Sequence, residues 1–431
     1  MKKIVIMTII IVILSSILTG CGGREPNEIA YIVALGIDNA DNGNYKITIQ
    51  YANTTQISGG GGEEGGKAGS KIVDNIIVEG PDIYAGIGLA NNIVSKIFSM
   101  SHTKLIVFSD EIASAGIKNI IETIKRSEEL RPDIFLAVAN GSANDYLTSV
   151  QPEMEVNPAQ YYELIFGKNH FTGVPEDRAV QIFFSITNDD YDSILPIAGV
   201  IEKSESQENE QDSQQEQSKE STQSEIQTKA KINKGRFEYN LRNYIGGETA
   251  VEKENKGEVI GAAVFDNDKM VGTLGGIETE VCKIIKSNYS YSYLTFYNEE
   301  TPDVPLTVRM TPRKKTNFNI DLKNKKIGID IFLEGDLYTV SADYNIENDI
   351  DSFEKMVESD INAACEKFLS YFNEMYDSDI FGFKEKCKGK FLTNEEYKQF
   401  KKEVNFDEFD ISVNTDFMLR RTGLVIREED E

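Results

Sequence analysis

The sequence predicts a multidomain α+β protein: an N-terminal mixed α/β domain, a small β-rich middle domain, and a C-terminal antiparallel sheet covered by a long helix. Three observations carry this. Strand and helix patterns alternate up to residue 202, which favours an α/β layer. A run of Ser, Gln and Glu over residues 203–234 divides the chain. Beyond it come successive short strands, then one long apolar stripe at helical spacing, then a closing strand. The expected units are 21–202, the polar segment 203–234, 235–290 and 291–431.

The first 20 residues stand apart from these domains. Lys2 and Lys3 precede an apolar run from Ile4 to Leu18, the arrangement of an export signal. The run is short for a bilayer-spanning helix, which needs about 20 apolar residues. Its ending, Leu18-Thr19-Gly20-Cys21, resembles the bacterial lipobox. In that motif the cysteine thiol takes a diacylglyceryl group, the preceding peptide is removed, and the cysteine becomes the mature N-terminus. Cys21 is therefore the expected lipidation site. Two or three acyl chains hold a protein on a membrane far better than one. Removal of residues 1–20 from 431 leaves 411 residues with no further apolar stretch long enough to span a bilayer.

The chain carries 45 Lys and Arg against 71 Asp and Glu, a net charge of −26. So acidic a surface repels nucleic acid and anionic headgroups, so membrane attachment has to come from the lipid. Apart from Cys21 the cysteines are Cys282, Cys365 and Cys387, an odd set without a CxxC pair. They suit neither a disulfide framework nor a zinc site, although a Cys365–Cys387 bridge is open.

In the N-terminal part, "YIVALGID" (31–38) reads as a buried strand and "YKITIQYA" (45–52) as a half-buried one, joined by turn residues into a hairpin. Ile83, Ile87, Ala90, Val94 and Ile97 recur at helical spacing after Pro81 and Asp82. "TKLIVF" (103–108) and "DIFLAVA" (133–139) read as strands around a helix over about 110–126. The segment 203–234 cannot bury enough apolar surface to offset its ordering entropy and reads as a solvated linker or insertion.

After it, residues 259–275 read as two short strands turned at Asp266–Lys269. "VPLTVRM", "NFNIDL" and "KKIGIDIFLEG" follow as antiparallel strands. A helix over about 351–376 buries Phe353, Val357, Ile361, Ala364, Phe368, Phe372 and Met375, with Asp351 and Glu354 placed like a capping box. The closing strand spans Phe409 to Ile426.

Nothing in the sequence asks for a cofactor or a metal. His102 and His170 lack a ligand neighbourhood, and no GxSxG occurs. "GGEEGGKA" (61–68) approaches a phosphate-binding loop but has Ala68 where a hydroxyl belongs and two glutamates facing the phosphates. "GIGLAN" (86–91) lacks a third glycine. An enzyme is not expected.

Three stretches resemble one family, the lipoprotein C subunits of spore-germination nutrient receptors (the GerAC type). The first is the lipobox with "REPNEIAYIVALGID". The second spans 101–147, in which the family's positions fall on His102, Lys104, Ser109, Asp110, Glu111, Ala113, Arg126, Glu129 and Arg131, with Asp110 for the usual glutamate. The third comprises 261–279, "SDIFGF" (378–383) and "RRTGL" (420–424). The resemblance implies a three-domain C subunit anchored to the outer face of the spore inner membrane. It also implies two multi-spanning partners, an A-type subunit and a transporter-like B-type subunit taken to bind the nutrient. The glycine-rich loop at 58–70 and the insertion at 203–234 depart from the family pattern.

Of the matched positions, His102, Lys104, Arg420 and Arg421 are candidate interface residues, against a plainer reading as local hydrogen-bonding and ion-pairing groups. Alternation should point Arg420 and Arg421 to opposite faces. Asp379 is expected to cap the turn after the long helix, near a bend at Gly382. The competing function is a solute-binding lipoprotein of an import system, disfavoured because the C-terminal half reads as antiparallel α+β.

Overall fold

A computed structural model of the chain describes residues 28–53, 72–152, 155, 157–167, 173–175, 179–188, 190–201, 244–249, 255–297, 305–339 and 350–422. Cys21, the loop at 58–70, the insertion at 203–234 and the end of "RRTGL" lie outside them or at their margin.

The first sheet has nine strands: β1 (Ile29–Asn39), β2 (Tyr45–Ala52), β3 (Val73–Gly80), β4 (Ile97–Ser99), β5 (Leu105–Phe108), β6 (Phe135–Ala139), β7 (Ile194–Val200), β8 (Gly257–Asp266) and β9 (Lys269–Leu274). Their order is β3-β2-β1-β5-β6-β7-β8-β9, with β4 beside the start of β1. The centre, β1-β5-β6-β7, is parallel; β2 and β3 on one flank and β8 and β9 on the other are antiparallel.

Parallel strands need helical crossovers that cover both faces. On one face α1 (Ile83–Ala90), α2 (Asp110–Ala115), α3 (Lys118–Arg126) and α6 (Ala179–Asn188) pack on Ile37, Ile47, Ile106 and Leu136. On the other, α4 (Ala143–Ser149) and α5 (Pro158–Gly167) pack Leu147, Tyr162 and Phe166 on Val33, Val107 and Ala137. Asp38, at the end of β1, accepts the N–H groups of Ala143 and Asn144 at 2.8 and 3.0 Å. A carboxylate at a helix N-terminus is favoured by the exposed N–H groups and the helix dipole, and here it also pins α4 to the sheet.

Two expected helices differ from the structure. The pattern over 110–126 is one stripe, but Gly116, at φ +120°, splits it into α2 and α3. α1 stops at Ala90, and Ile97 lies on β4, because the Asn91 side chain accepts the Phe98 N–H at 2.9 Å and folds the chain back onto the sheet.

The segment 235–290 is expected as a small domain. Its described strands β8 and β9 are instead the last two of the first sheet, since β8 completes the backbone pairing of β7. Its helix α7 (Gly276–Lys286) turns Val281, Cys282 and Ile285 into a second core together with Ala262 and Leu274.

The second sheet contains β10 (Ser292–Tyr297), β11 (Pro305–Pro312), β12 (Asn317–Asp321), β13 (Lys326–Thr339) and β14 (Asp410–Arg421). On β13, Ile327, Ile329, Ile331 and Leu333 are buried while the residues between them are half-exposed, as the alternation requires. The sheet is antiparallel up to β13, but β14 runs parallel to β13. A parallel neighbour needs a crossover. It is supplied by α8 (Ile350–Met375), α9 (Phe383–Cys387) and α10 (Asn394–Glu403). α8 buries Phe353, Val357, Ile361, Phe368 and Phe372 against the sheet, leaving Met375 56% exposed.

Glu354 does not act as a capping-box partner. Its carboxylate accepts the Leu419 N–H at 2.7 Å, while Glu358 takes that of Phe417 at 3.0 Å and Glu366 that of Val413 at 3.2 Å. These are the β14 donors that point away from β13. A line of glutamates along α8 thus occupies an edge that would otherwise be open to pairing with another chain. Loss of a charged acceptor costs about 1–3 kcal/mol. Glu358→Ala is expected to lower stability by about 2 kcal/mol, and Glu358→Gln, which keeps an acceptor oxygen, by less, as read from urea midpoints.

Candidate functional site

The matched positions of the N-terminal part fall at the turns that hold β1, β4 and β5 together. The His102 ring meets the Tyr31 ring edge-on at 4.6 Å. Lys104 continues the strand pairing through its N–H to the Val33 carbonyl and pairs through Nζ with Glu163 at 3.5 Å. Ser109 caps α2, its Oγ accepting the Ile112 N–H, and Glu111 accepts from the Asn39 amide. Asp110 accepts the Glu111 N–H, and Ala113 is fully buried. Glu129 accepts the Met100 N–H at 2.6 Å, Arg131 forks onto Asp133, and Arg126 lies 3.8 Å from Glu122. Each of these groups has a local structural task.

Arg420 and Arg421 lie in the other sheet, so the four candidate interface residues form no single site. Arg420 pairs with Glu334 of β13 at 2.5 Å, and Arg421, exposed, stands opposite Asp336 in register. Cys21 lies outside the described residues.

The arrangement that the fold does concentrate is a buried acidic junction between the two sheets. The chain entering β7 carries Asp190 and Asp192; the turn after α8 carries Asp379. Asp192 Oδ2 accepts the Asp379 N–H at 2.7 Å and Oδ1 accepts the Asn267 N–H at 2.9 Å, while the Asp192 N–H donates to the Asp379 carbonyl at 3.0 Å. The Asp379 carboxylate takes the N–H groups of Phe383 and Lys384, both at 2.7 Å. Gly382, at φ +65°, allows the tight bend that delivers them. Asp379 therefore does cap the turn, and its backbone also ties one sheet to the other.

Asp190 accepts from Lys401 at 2.8 Å, Lys388 at 3.4 Å and the Tyr397 hydroxyl at 3.1 Å. Beside it Ser378 donates to the Phe265 carbonyl, and Tyr376 to that of Thr273. On α7, Glu280 and Lys283 are both buried and paired at 3.3 Å, with Glu280 also accepting the Gly173 N–H.

Burial raises the Asp379 carboxyl to about 6, the two N–H bonds and Lys384 opposing it. Burial also raises Asp192. Burial acts in the same direction on Asp190, but its hydrogen bond to Lys401 and the charges of Lys401 and Lys388 outweigh it and hold the carboxyl below its ordinary value. Asp190, Asp192, Lys401, Glu280 and Lys283 were not legible as a set, since an acid-rich stretch in so acidic a chain reads as solvated loop.

The remaining chemistry is sparse. Cys282, Cys365 and Cys387 are buried free thiols, so the Cys365–Cys387 bridge does not form. Burial pushes Cys282 and Cys387 up to about 11. Among the described residues, no three His, Cys, Asp or Glu side chains are grouped to hold a metal, and no helix is long and apolar enough to cross a membrane. An open groove of about 560 Å³ beside α10 is floored by Leu322, Phe391, Phe400 and Phe409. Its rim charges are already engaged, Lys325 with Glu408 and Glu396 with the N-terminus of α10.

Two mixed sheets joined at a buried acidic junction are the class of protein that this architecture defines, and comparison makes it specific. The family domain described as spore germination protein N-terminal domain matches residues 22–200, and that described as spore germination B3/GerAC like, C-terminal, matches residues 260–423. The chain belongs to the GerAC family of spore germination proteins.

Among its relatives in Bacillus subtilis (strain 168), the putative spore germination protein YfkR is 28% identical over 155 residues, covering 36% of this chain and 40% of YfkR. Spore germination protein KC is 27% identical over 146 residues, covering 33% of this chain and 35% of its own. The matched region thus spans less than half of each curated relative. The crystal structure of the GerBC protein aligns with a TM-score of 0.50 over 89% of this chain and 96% of its own, at 12% identity, a likeness of fold.

Two outcomes test the junction. Asp190→Ala removes the acceptor shared by Lys401, 10% exposed, and the Tyr397 hydroxyl, and is expected to lower stability by about 3 kcal/mol. Asp379 titrates near 6 when folded against 3.8 for the ordinary group. The folded state therefore binds the extra proton between these values, and the resulting stabilisation, full below about pH 4, is lost as pH rises through about 6. The unfolding midpoint of Asp379→Asn should accordingly gain on that of the wild type between pH 4 and 6, by about 2–3 kcal/mol in all.

Proposed function

We propose that this chain is the lipid-anchored C subunit of a nutrient germinant receptor. Cys21 carries the acyl chains and holds the protein at the outer face of the spore inner membrane. There it works with two multi-spanning subunits, one A-type and one transporter-like B-type, in receptor assembly or signal transmission, without enzymatic activity of its own. The observation that carries this reading is the conjunction of a lipobox ending at Cys21 with GerAC-family matches over both 22–200 and 260–423. The acidic junction supports a role as a rigid adaptor, because it fixes the two sheets against each other by backbone hydrogen bonds rather than by a hinge.

The test is capture of this chain from dormant-spore membranes in mild detergent, with the co-purifying proteins identified by mass spectrometry. Two multi-spanning subunits are expected, and both should be lost in a Cys21→Ala strain. Recovery of an ATP-driven permease in their place would make the chain a solute-binding protein instead.

A further inference from the structure

In a chain with 71 acidic residues, the 27 residues from Ile83 to Ser109 contain none. The stretch holds Lys96, His102 and Lys104 and is bounded by Asp82 and Asp110. It folds into α1, the turn after it, β4 and the entry to β5, which together surround the start of β1. Ile29 pairs with Ile97 and Tyr31 with Ser99, so this rim lies where the chain from Cys21 reaches the fold.

The same rim exposes apolar side chains: Ile93 is 69%, Leu89 50% and Ile97 39% accessible. The Asn92 and Ile93 N–H groups bond back to Leu89 and Ala90, and Asn91 holds Phe98, which gathers these three residues into one turn. Beside them the Tyr31 and His102 rings meet, amphipathic groups of the kind that sit at a membrane–water boundary. Three carboxylates at this end are engaged, Glu129 by the Met100 N–H, Glu163 by Lys104 and Asp74 by the Asn53 amide; a fourth, Glu28, stands at the chain entry.

We propose that this rim is a bilayer-contact surface, with Leu89, Ile93 and Ile97 entering the headgroup region of the membrane to which Cys21 tethers the chain. The proposal rests on the lipid anchor described above. Six residues lie between Cys21 and Glu28, and these seven chain steps span at most about 24 Å when extended, so the start of β1 cannot stand far from the lipid. A protein of net charge −26 is repelled by anionic headgroups over about 8 Å, the screening length at physiological salt. It closes that gap most readily where acidic side chains are few and already engaged, and the tether brings this rim to the surface. Leu392, 96% exposed, belongs to the other sheet's crossover and is followed by Glu395 and Glu396.

The test uses the full acylated chain in vesicles of phosphatidylethanolamine and phosphatidylglycerol, labelled with an environment-sensitive fluorophore at Ile93→Cys or, as a second site, Leu89→Cys. Leu392→Cys serves as the reference, and the three native thiols are buried. Lipid carrying a nitroxide at a shallow depth is expected to quench positions 93 and 89 at least threefold more than position 392. Equal, water-like emission at all three sites from a chain shown by mass to be acylated at Cys21 would overturn the proposal and leave the anchor standing. So would protection of position 93 by cross-linking to another protein in spore membranes. A chain that carries no acyl group would sink the anchor and the orientation together.

Discussion

The Asp192 carboxylate receives the Asp379 N–H while the Asp192 N–H is given to the Asp379 carbonyl, and on this reciprocal pair the relation of the two sheets depends. One partner lies at the entry to β7, the centre of the first sheet; the other follows the last turn of α8, which covers the second. Side chain and backbone are thus committed together, so neither end can move without leaving buried polar groups unpaired, a change that costs several kcal/mol at such depth. The Lys388–Asp190–Lys401 cluster and the α7 pair Glu280–Lys283 extend the join to either side. Around these groups the apolar packing is continuous: Ile194, Ala262 and Val264 of the first sheet share a core with Phe372 and Phe381 of the second.

Family likeness in this chain consists mostly of such supporting positions. Ser109 caps a helix, Glu129 receives a turn N–H, Asp38 pins α4, and Asp379 caps α9 and crosses between sheets. Sequence stretches that identify the family therefore identify its architecture. The groups that face solvent without an internal task, Leu89 and Ile93 among them, fall outside the motifs by which the family is recognised.

What could be read from the sequence follows the same physics. β13 was legible because only one of its faces is buried, which imposes strict alternation, and α8 because its stripe meets the sheet along most of its length. The alternation that displays a strand does not display its neighbour, so the parallel pairing of β14 and the membership of β8 and β9 in the first sheet were not legible. Nor was α7, whose buried face carries Thr279, Glu280 and Lys283 among its apolar residues. The glutamates of α8 look like a solvated face; their use as acceptors for β14 depends on a strand that arrives some 45 to 65 residues later.

β7 and β8 are separated by 56 residues in the sequence, yet Val200 and Gly257, at the two ends of that segment, are paired neighbours in the sheet. A hydrogen-bonded strand pair closes the segment, and within it Tyr244 and Gly246 bond back to Gly276 and Ile260. Ring-closure entropy grows only with the logarithm of length, about 0.6 kcal/mol for each doubling. The acidic insertion can therefore lengthen or shorten freely in evolution while the sheet on either side keeps its register. The same property makes it the natural place to splice in a reporter domain without disturbing either core.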